Sequence, residues 1–372
     1  MEQNEENDIQ VSTNPSSPSG YPEEVMTRLE CNALRGIAII GIFLHNYCHW
    51  LNPVVKENEY QYFQHNVDWF HQVTASMDGL YPMHLLSYFG HYGVAIFLFL
   101  SAYGLERKYG KGGASKPVPF IKYHFLKLFK IMIVGFVAFT MVDATTPDPW
   151  DYNPLQIIAQ LLMFNNVLPQ PDCQIWPGPY WFFGLMLQLY IVYRLLLYRR
   201  HWAWTVASMV ICVVLQLFLD PEGEAINRYR YNFMGGMLPF GMGILFARFG
   251  THLMKIFDTR AKNIAALLLM TALTVFWSEN FISWTFVPAV VCIGSIYFIK
   301  TIPQKSWLMN GILWMGGISA TLFVCHPITR KIFIGISRDG DPYTGLLLYI
   351  VTSLFVAWLF KEVMKKIPNP KP

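Results

Sequence analysis

Charge is the first thing this sequence has little of. Asp, Glu, Lys and Arg make up 14% of its 372 residues and hydrophobic residues 53%, whereas a soluble domain carries about 25% charged residues. That shortage excludes an ordinary soluble globular domain. Cysteine is scarce as well, with six in all. Cys48, Cys212, Cys292 and Cys325 fall inside apolar blocks, Cys31 sits at the edge of one, and only Cys173 lies in a polar connection. The pattern excludes a disulfide framework and offers no zinc-ligand spacing, so no metal is expected. No apolar stretch precedes Leu34, so no secretory signal is expected; the Asn-, Ser-, Pro- and Glu-rich residues 1–27 are expected to form a disordered cytoplasmic tail. The net charge of +4 gathers beside the apolar blocks, where it reports topology and anionic lipid rather than nucleic acid. No internal repeat is visible.

What the sequence has instead is a series of apolar blocks of about 17–25 residues, the length a helix needs to cross a hydrocarbon core of ~30 Å. The expected fold is an all-α integral membrane bundle of about ten transmembrane helices, over residues 34–51, 89–105, 124–142, 180–198, 202–219, 232–249, 263–279, 283–300, 308–328 and 343–361. These make one membrane domain, 28–366, followed by a short cytoplasmic tail, 367–372. Leu155–Leu168 is apolar but holds Gln160, Asn165 and Asn166, and reads as a short re-entrant or interfacial helix. Lys and Arg cluster after every second span, whereas 143–179 contains neither; both termini are therefore expected in the cytoplasm and 143–179 outside. Arg330, Lys331 and Arg338 break that rule by following the ninth block. They read either as a tolerated exception or as residues serving a ligand or lipid headgroup.

Ionisable groups inside a span are costly and point to function. The first block, LRGIAIIGIFLHNYCHW, holds Arg35 at its start and His45 ten residues later, about 15 Å deeper along a helix. His49 lies one turn above His45, with Asn46 beside them. A neutral imidazole with an ordinary pKa of ~6.5 suits a general base near neutral pH. Equally, these polar groups could simply bond between helices.

At this block the chain begins to resemble the membrane-bound acyltransferase-3 family, whose first span opens on a Leu-Arg-Gly-Ile-Ala-like stretch and carries a histidine further along. The resemblance continues in GVAIFLFLSAYGL at Gly93–Leu105, in the aromatic YWFFGLMLQLYIVYRLL at Tyr180–Leu196, in the Gly-rich FMGGMLPFGMGILFAR at Phe233–Arg248, and in ISATLFVCHP at Ile318–Pro327. The five stretches occur in the family's order over residues 30–362. Spacing departs from the pattern: Asn46 occupies the usual histidine position, so the role falls to His45 or His49. On a straight helix His45 lies about 80° and His49 about 40° from Arg35. Ala95 and Met186 stand where acidic residues are frequent, which marks a divergent branch.

The resemblance implies an O-acyltransferase of the plasma (inner) membrane that moves an acyl group, commonly acetyl from acetyl-CoA, to a sugar hydroxyl of a cell-envelope glycan or lipid-linked saccharide. Acyl-CoA would be a co-substrate; no tightly bound cofactor is expected. His45 is the expected general base, with His49 and Asn46 as alternatives, and Arg35 would hold a CoA phosphate or steady the oxyanion. Arg107, Lys108, Lys122, Lys127 and Lys130 form a basic rim attractive to nucleotide phosphates, or mark plain positive-inside topology. His326 and Trp181 are candidates for the acceptor. His65, His71, His84 and His91 read as solvated loop or interface residues. A second reading, from another class, is a transporter or flippase for a lipid-linked glycan or small solute.

Overall fold

A computed structural model describes residues 25–371, so residues 1–24 of the expected tail lie outside the described residues. The packed chain starts earlier than expected: Val25 and Met26 are buried, and the Met26 amide hydrogen-bonds to the Tyr103 hydroxyl at 3.2 Å. No strand occurs among the described residues. The helices follow chain order as α1 (Arg28–Cys48), α2 (Gln64–Ser76), α3 (Tyr81–Phe89), α4 (Gly93–Tyr109), α5 (Pro117–Asp143), α6 (Pro154–Leu161), α7 (Pro171–Gln174) and α8 (Trp181–Val192). They continue with α9 (Trp202–Leu217), α10 (Glu224–Tyr231), α11 (Phe233–Ile256), α12 (Arg260–Trp277), α13 (Phe281–Trp284), α14 (Val287–Thr301), α15 (Trp307–Arg338) and α16 (Pro342–Lys366).

Among the described residues, seven helical stretches are long and apolar enough to cross a membrane. The remaining three expected spans correspond to α1, whose first turns carry Arg28, Glu30 and Arg35, and to α9 and α14, of 16 and 15 residues. The expected short helix at 155–168 is α6, whose N-cap Asn153 and Gln156 satisfy each other's backbone amides. In it and the turn that follows, Gln160, Asn165 and Asn166 are buried rather than interfacial.

The main helices run alternately up and down, giving the bundle two ends. One end gathers Arg35, Lys108, Lys127 and Arg248 and is called here the basic end; the other holds the segments 49–80 and 144–180 and is the far end. Helix α1 sits at the centre, between α4 and α15. Small residues set how close these helices come. A Cβ on Gly36 would collide with the Ile312 carbonyl, and one on Gly90 would lie 2.6 Å from the Gly41 carbonyl and 2.7 Å from the Cβ of His45. Buried ion pairs fasten the rim at each end, Arg248 to Glu106 at 2.8 Å and Lys331 to Asp143 at 3.0 Å.

Helix α15 corrects the expectation that its span ends near Pro327. Pro327 is inside a helix of 32 residues that runs on to Arg338. A proline removes one amide donor and clashes with the preceding turn, yet the packing of α15 against α1 and α16 holds both sides of it. Tyr47 bridges its last turns, reaching the Phe333 carbonyl at 3.1 Å and the Ser337 hydroxyl at 2.6 Å. Arg330, Lys331 and Arg338 thus belong to the helix, not to a connection.

Candidate active site

His45 is 2% exposed, and it opens onto a cavity of about 380 Å³ in the far half of the bundle. Its Nδ1 lies 2.8 Å from the Ser87 carbonyl oxygen. A carbonyl only accepts, so Nδ1 carries the proton and donates it; the neutral ring is left with its lone pair on Nε2. Ser87 is fixed in turn by its hydroxyl, which donates to the Val55 carbonyl at 2.5 Å. Nε2 faces two carboxylates, Glu57 Oε1 at 3.9 Å and Glu59 Oε2 at 3.8 Å.

Both glutamates come from the connection between α1 and α2. It is a strap pinned from four directions. The Val55 amide donates to His84 Nδ1 at 3.1 Å, Trp284 Nε1 donates to the Asn58 carbonyl at 2.8 Å, Arg230 Nε to the Glu59 carbonyl at 2.6 Å, and the Tyr62 amide to the Pro221 carbonyl at 2.8 Å. These bonds satisfy backbone groups that burial would otherwise strand. Glu57 accepts from His49 Nδ1 at 2.9 Å. Burial works against the Glu57 carboxylate, but His49 and His45 hold it below the usual carboxylate range. Burial and then the neighbouring Glu57 push Glu59 the other way, up to about 8. Ligand atoms of His45, His49 and Glu57 all lie within 4.8 Å of one another, so this trio has the donor set to hold a divalent cation as well as to relay a proton.

The histidines expected to be solvated separate into two groups. His84 and His91 are buried, at 0% and 4% exposure. His91 lines the cavity with its ring 5.6 Å from that of His45, and neither of its nitrogens has a hydrogen-bond partner. His65 and His71 are exposed. Aromatic rings form the rest of the cavity wall: Trp150 stacks on Trp176 at 5.1 Å, Tyr60 stacks on Tyr231 at 4.0 Å, and Trp181 meets Tyr60 edge-on at 5.4 Å. Asn46 also lines the cavity, its side chain donating to the Ile42 carbonyl at 3.0 Å. His326 is fully buried and does not line it; Phe323, one turn earlier, does, with its ring 6.1 Å from His326.

A second cavity, of about 390 Å³, opens in the basic half and is lined by Arg35, Lys108, His124 and Lys127 among apolar side chains. Arg35 and His45 are therefore not brought together. Helix α1 is continuous from Arg28 to Cys48, and the offset between them places each in a different cavity. Of the expected basic rim, Lys108 and Lys127 line this cavity, whereas Arg107, Lys122 and Lys130 do not; Lys130 Nζ donates to the Ile367 carbonyl at 2.6 Å and to Asn369 at 2.9 Å. Phe182 and Phe323 line both cavities, their ring centroids 5.2 Å apart. They form the apolar partition between the two.

Glu57, Glu59 and Tyr60 are not among the site residues expected from the sequence, where His91 reads as a solvated loop or interface residue. The available signal was two acidic residues set among Tyr60, Tyr62 and Phe63 in a short connection, a composition that buries itself. A family model of an acyltransferase domain matches residues 28–362, nearly the whole chain. No curated protein and no solved structure matches it.

Proposed function

Because the chain belongs to the acyltransferase-3 family of membrane proteins, it is an acyltransferase, and we propose that it carries acyl groups from acyl-CoA, acetyl-CoA foremost, to a sugar hydroxyl of a cell-envelope glycan or lipid-linked saccharide. The observation that carries this reading is the pair of cavities meeting at Phe182 and Phe323, one basic and one lined by aromatic rings and His45.

The basic cavity suits the donor. Arg35, Lys108 and Lys127 offer cationic donors to CoA phosphates, Arg35 as a planar fork and the lysines as point charges. The thioester then reaches toward the Phe182–Phe323 partition. Indole and phenol faces in the far cavity suit a sugar ring, which stacks its C–H bonds on aromatic surfaces while its hydroxyls keep polar partners. His45 Nε2 takes the proton of the attacking hydroxyl as that oxygen bonds to the thioester carbon. The tetrahedral adduct collapses with cleavage of the C–S bond, and the thiolate leaves as CoA. Holding His45 at Ser87 fixes which nitrogen is basic. Glu57, bonded to His49 and near His45, is placed to stabilise the imidazolium that forms. His49, whose Nδ1 donates to Glu57 and which lines the same cavity, is the alternative base one turn higher.

The orientation that follows places the basic end and both termini at the cytoplasm, where acyl-CoA is made, in the plasma (inner) membrane. Purified protein given acetyl-CoA labelled in the acetyl group and an envelope glycan extract should leave the label covalently on glycan. A protein that moves glycan across vesicles but never labels it would replace this reading with the transporter one.

A further inference from the structure

We infer that the acceptor carries an anionic group, a carboxylate or a phosphate, and that Arg330 holds it in the far cavity beside His45. This rests on reading that cavity as the acceptor site and narrows the acceptor to an acidic or phosphorylated sugar.

Arg330 is 5% exposed and lines the far cavity, yet no carboxylate lies within 4 Å of its guanidinium among the described residues. Its two hydrogen bonds both leave from Nη1, to the Asn46 carbonyl at 3.1 Å and the Asn46 side-chain oxygen at 3.4 Å. Nε and Nη2 are left for a ligand, and two parallel donors match the two oxygens of a carboxylate or phosphate. A buried, uncompensated guanidinium is strongly unfavourable. Elsewhere the chain avoids that cost: Arg248 is paired with Glu106, Lys331 with Asp143 and Lys300 with Glu30. Of the acids that line the cavity, Glu59 stands opposite His45 and Asp172 accepts from the Asn227 side-chain amide at 3.2 Å, while Glu57, which does not line it, is engaged by His49. Arg230 also lacks a carboxylate partner, but it spends Nε on the Glu59 carbonyl and Nη1 on Gln216, and lies 4.2 Å from the Trp284 ring centre. It lines a narrow crevice of about 50 Å³, too small for a sugar.

The surroundings of Arg330 join charge recognition to sugar recognition. Its guanidinium sits 5.0 Å from the Trp50 ring centre and 6.0 Å from that of Trp176. Cation–π contact holds the charge, and the same Trp176 belongs to the aromatic wall on which a sugar ring would lie. Arg338 adds a second positive group at 5.9 Å from Trp50, on the exposed side, where it attracts anions toward the cavity.

Binding is measured on detergent-purified full-length protein without acyl-CoA, through the fluorescence of the cavity tryptophans, with glucose, glucuronic acid and glucose 6-phosphate as probes. At least one acidic sugar should bind about tenfold or more tightly than glucose, as expected for a charge-assisted bidentate contact. Preference for glucuronic acid assigns a carboxylate acceptor, and preference for glucose 6-phosphate a phosphorylated one. Arg330→Gln should erase the preference and Arg330→Lys should restore part of it. Equal binding of glucose and both acidic sugars to the unaltered protein overturns the inference, whether or not the variants fold. So does an Arg330→Gln variant that keeps the preference while losing turnover on every acceptor, the signature of an oxyanion-stabilising arginine. Acidic-sugar binding with no acyl transfer would instead sink the enzymatic reading and leave this site in place.

Discussion

The two cavities are of nearly equal size and hold their charges in opposite ways. Around the far cavity His45 and Arg330 are buried and His49 half-buried, and each is tied to a neighbour, His45 to Ser87, His49 to Glu57 and Arg330 to Asn46, while His91 is buried without a hydrogen-bond partner. Around the basic cavity Arg35, Lys108 and Lys127 are exposed and line an opening among apolar walls. Fixed groups suit a reaction whose charge develops at one atom, because they need no reorganisation as it proceeds. Long exposed cations suit the capture of a flexible polyanion, where affinity counts and position hardly matters. On the proposed reading, chemistry falls to the far cavity and donor binding to the basic one.

Changes at the far cavity should therefore strike turnover, and the largest effect is expected at His45. His45→Ala should lower kcat by about 10²–10⁴, the usual contribution of a general base, while His49→Ala, which removes only the partner of Glu57, should cost much less. The check is labelled acetyl transfer at matched protein levels. If His49→Ala is the dead variant and His45→Ala still turns over, the base has been placed one turn too low. At the basic cavity the expected effect is smaller and falls on a different constant. Reversing Lys108 and Lys127 together to Glu should raise KM for acetyl-CoA about tenfold or more with kcat nearly kept, since exposed phosphate contacts serve binding rather than the transition state. Reversing Lys122 and Lys130, which do not line the cavity, should do less. Equal effects of the two pairs on KM would reduce the basic rim to topology.

The smallest effect expected concerns pH. Burial and then Glu57 raise the Glu59 carboxyl to about 8 from an ordinary 4.5, so the folded protein holds this proton where the unfolded chain has lost it. Its contribution to stability is whole below about 4.5 and is lost as pH rises towards 8. The thermal midpoint in detergent should therefore fall between pH 6 and pH 9 for the unaltered protein, and fall less for Glu59→Gln, which mimics the protonated form. Identical slopes for the two proteins would show that Glu59 is already ionised at pH 6.

Much of this arrangement was legible in the sequence because apolar length and isolated polar residues are local signals. LRGIAIIGIFLHNYCHW shows both the central helix and its histidines, and the blocks from Asn232 and from Tyr343 begin within a residue of their helices. What was not legible depends on where distant segments meet. The strap with Glu57 and Glu59 looks like any polar connection until Trp284, Arg230 and Pro221, more than 150 residues away, supply its hydrogen bonds. Pro327 reads as a helix end because the packing that carries α15 past it comes from α1 and α16. Arg330 was noticed as an oddity of charge distribution, but only the extended helix shows that it turns inward. Arg35 and His45 looked like partners because they share a helix, but the ten-residue step between them, about 15 Å of helix, puts them on different sides of the Phe182–Phe323 partition.

The central claim is that the acyl group enters at the basic end and is delivered at the far end, and sealed vesicles test it directly. Acetyl-CoA labelled in the acetyl group is trapped inside proteoliposomes and envelope glycan is supplied only outside. Label should appear on the external glycan while the vesicles remain intact, and should vanish with His45→Ala. Label that reaches glycan only after detergent mixes the two compartments would contradict a route through the partition and place donor and acceptor on the same side.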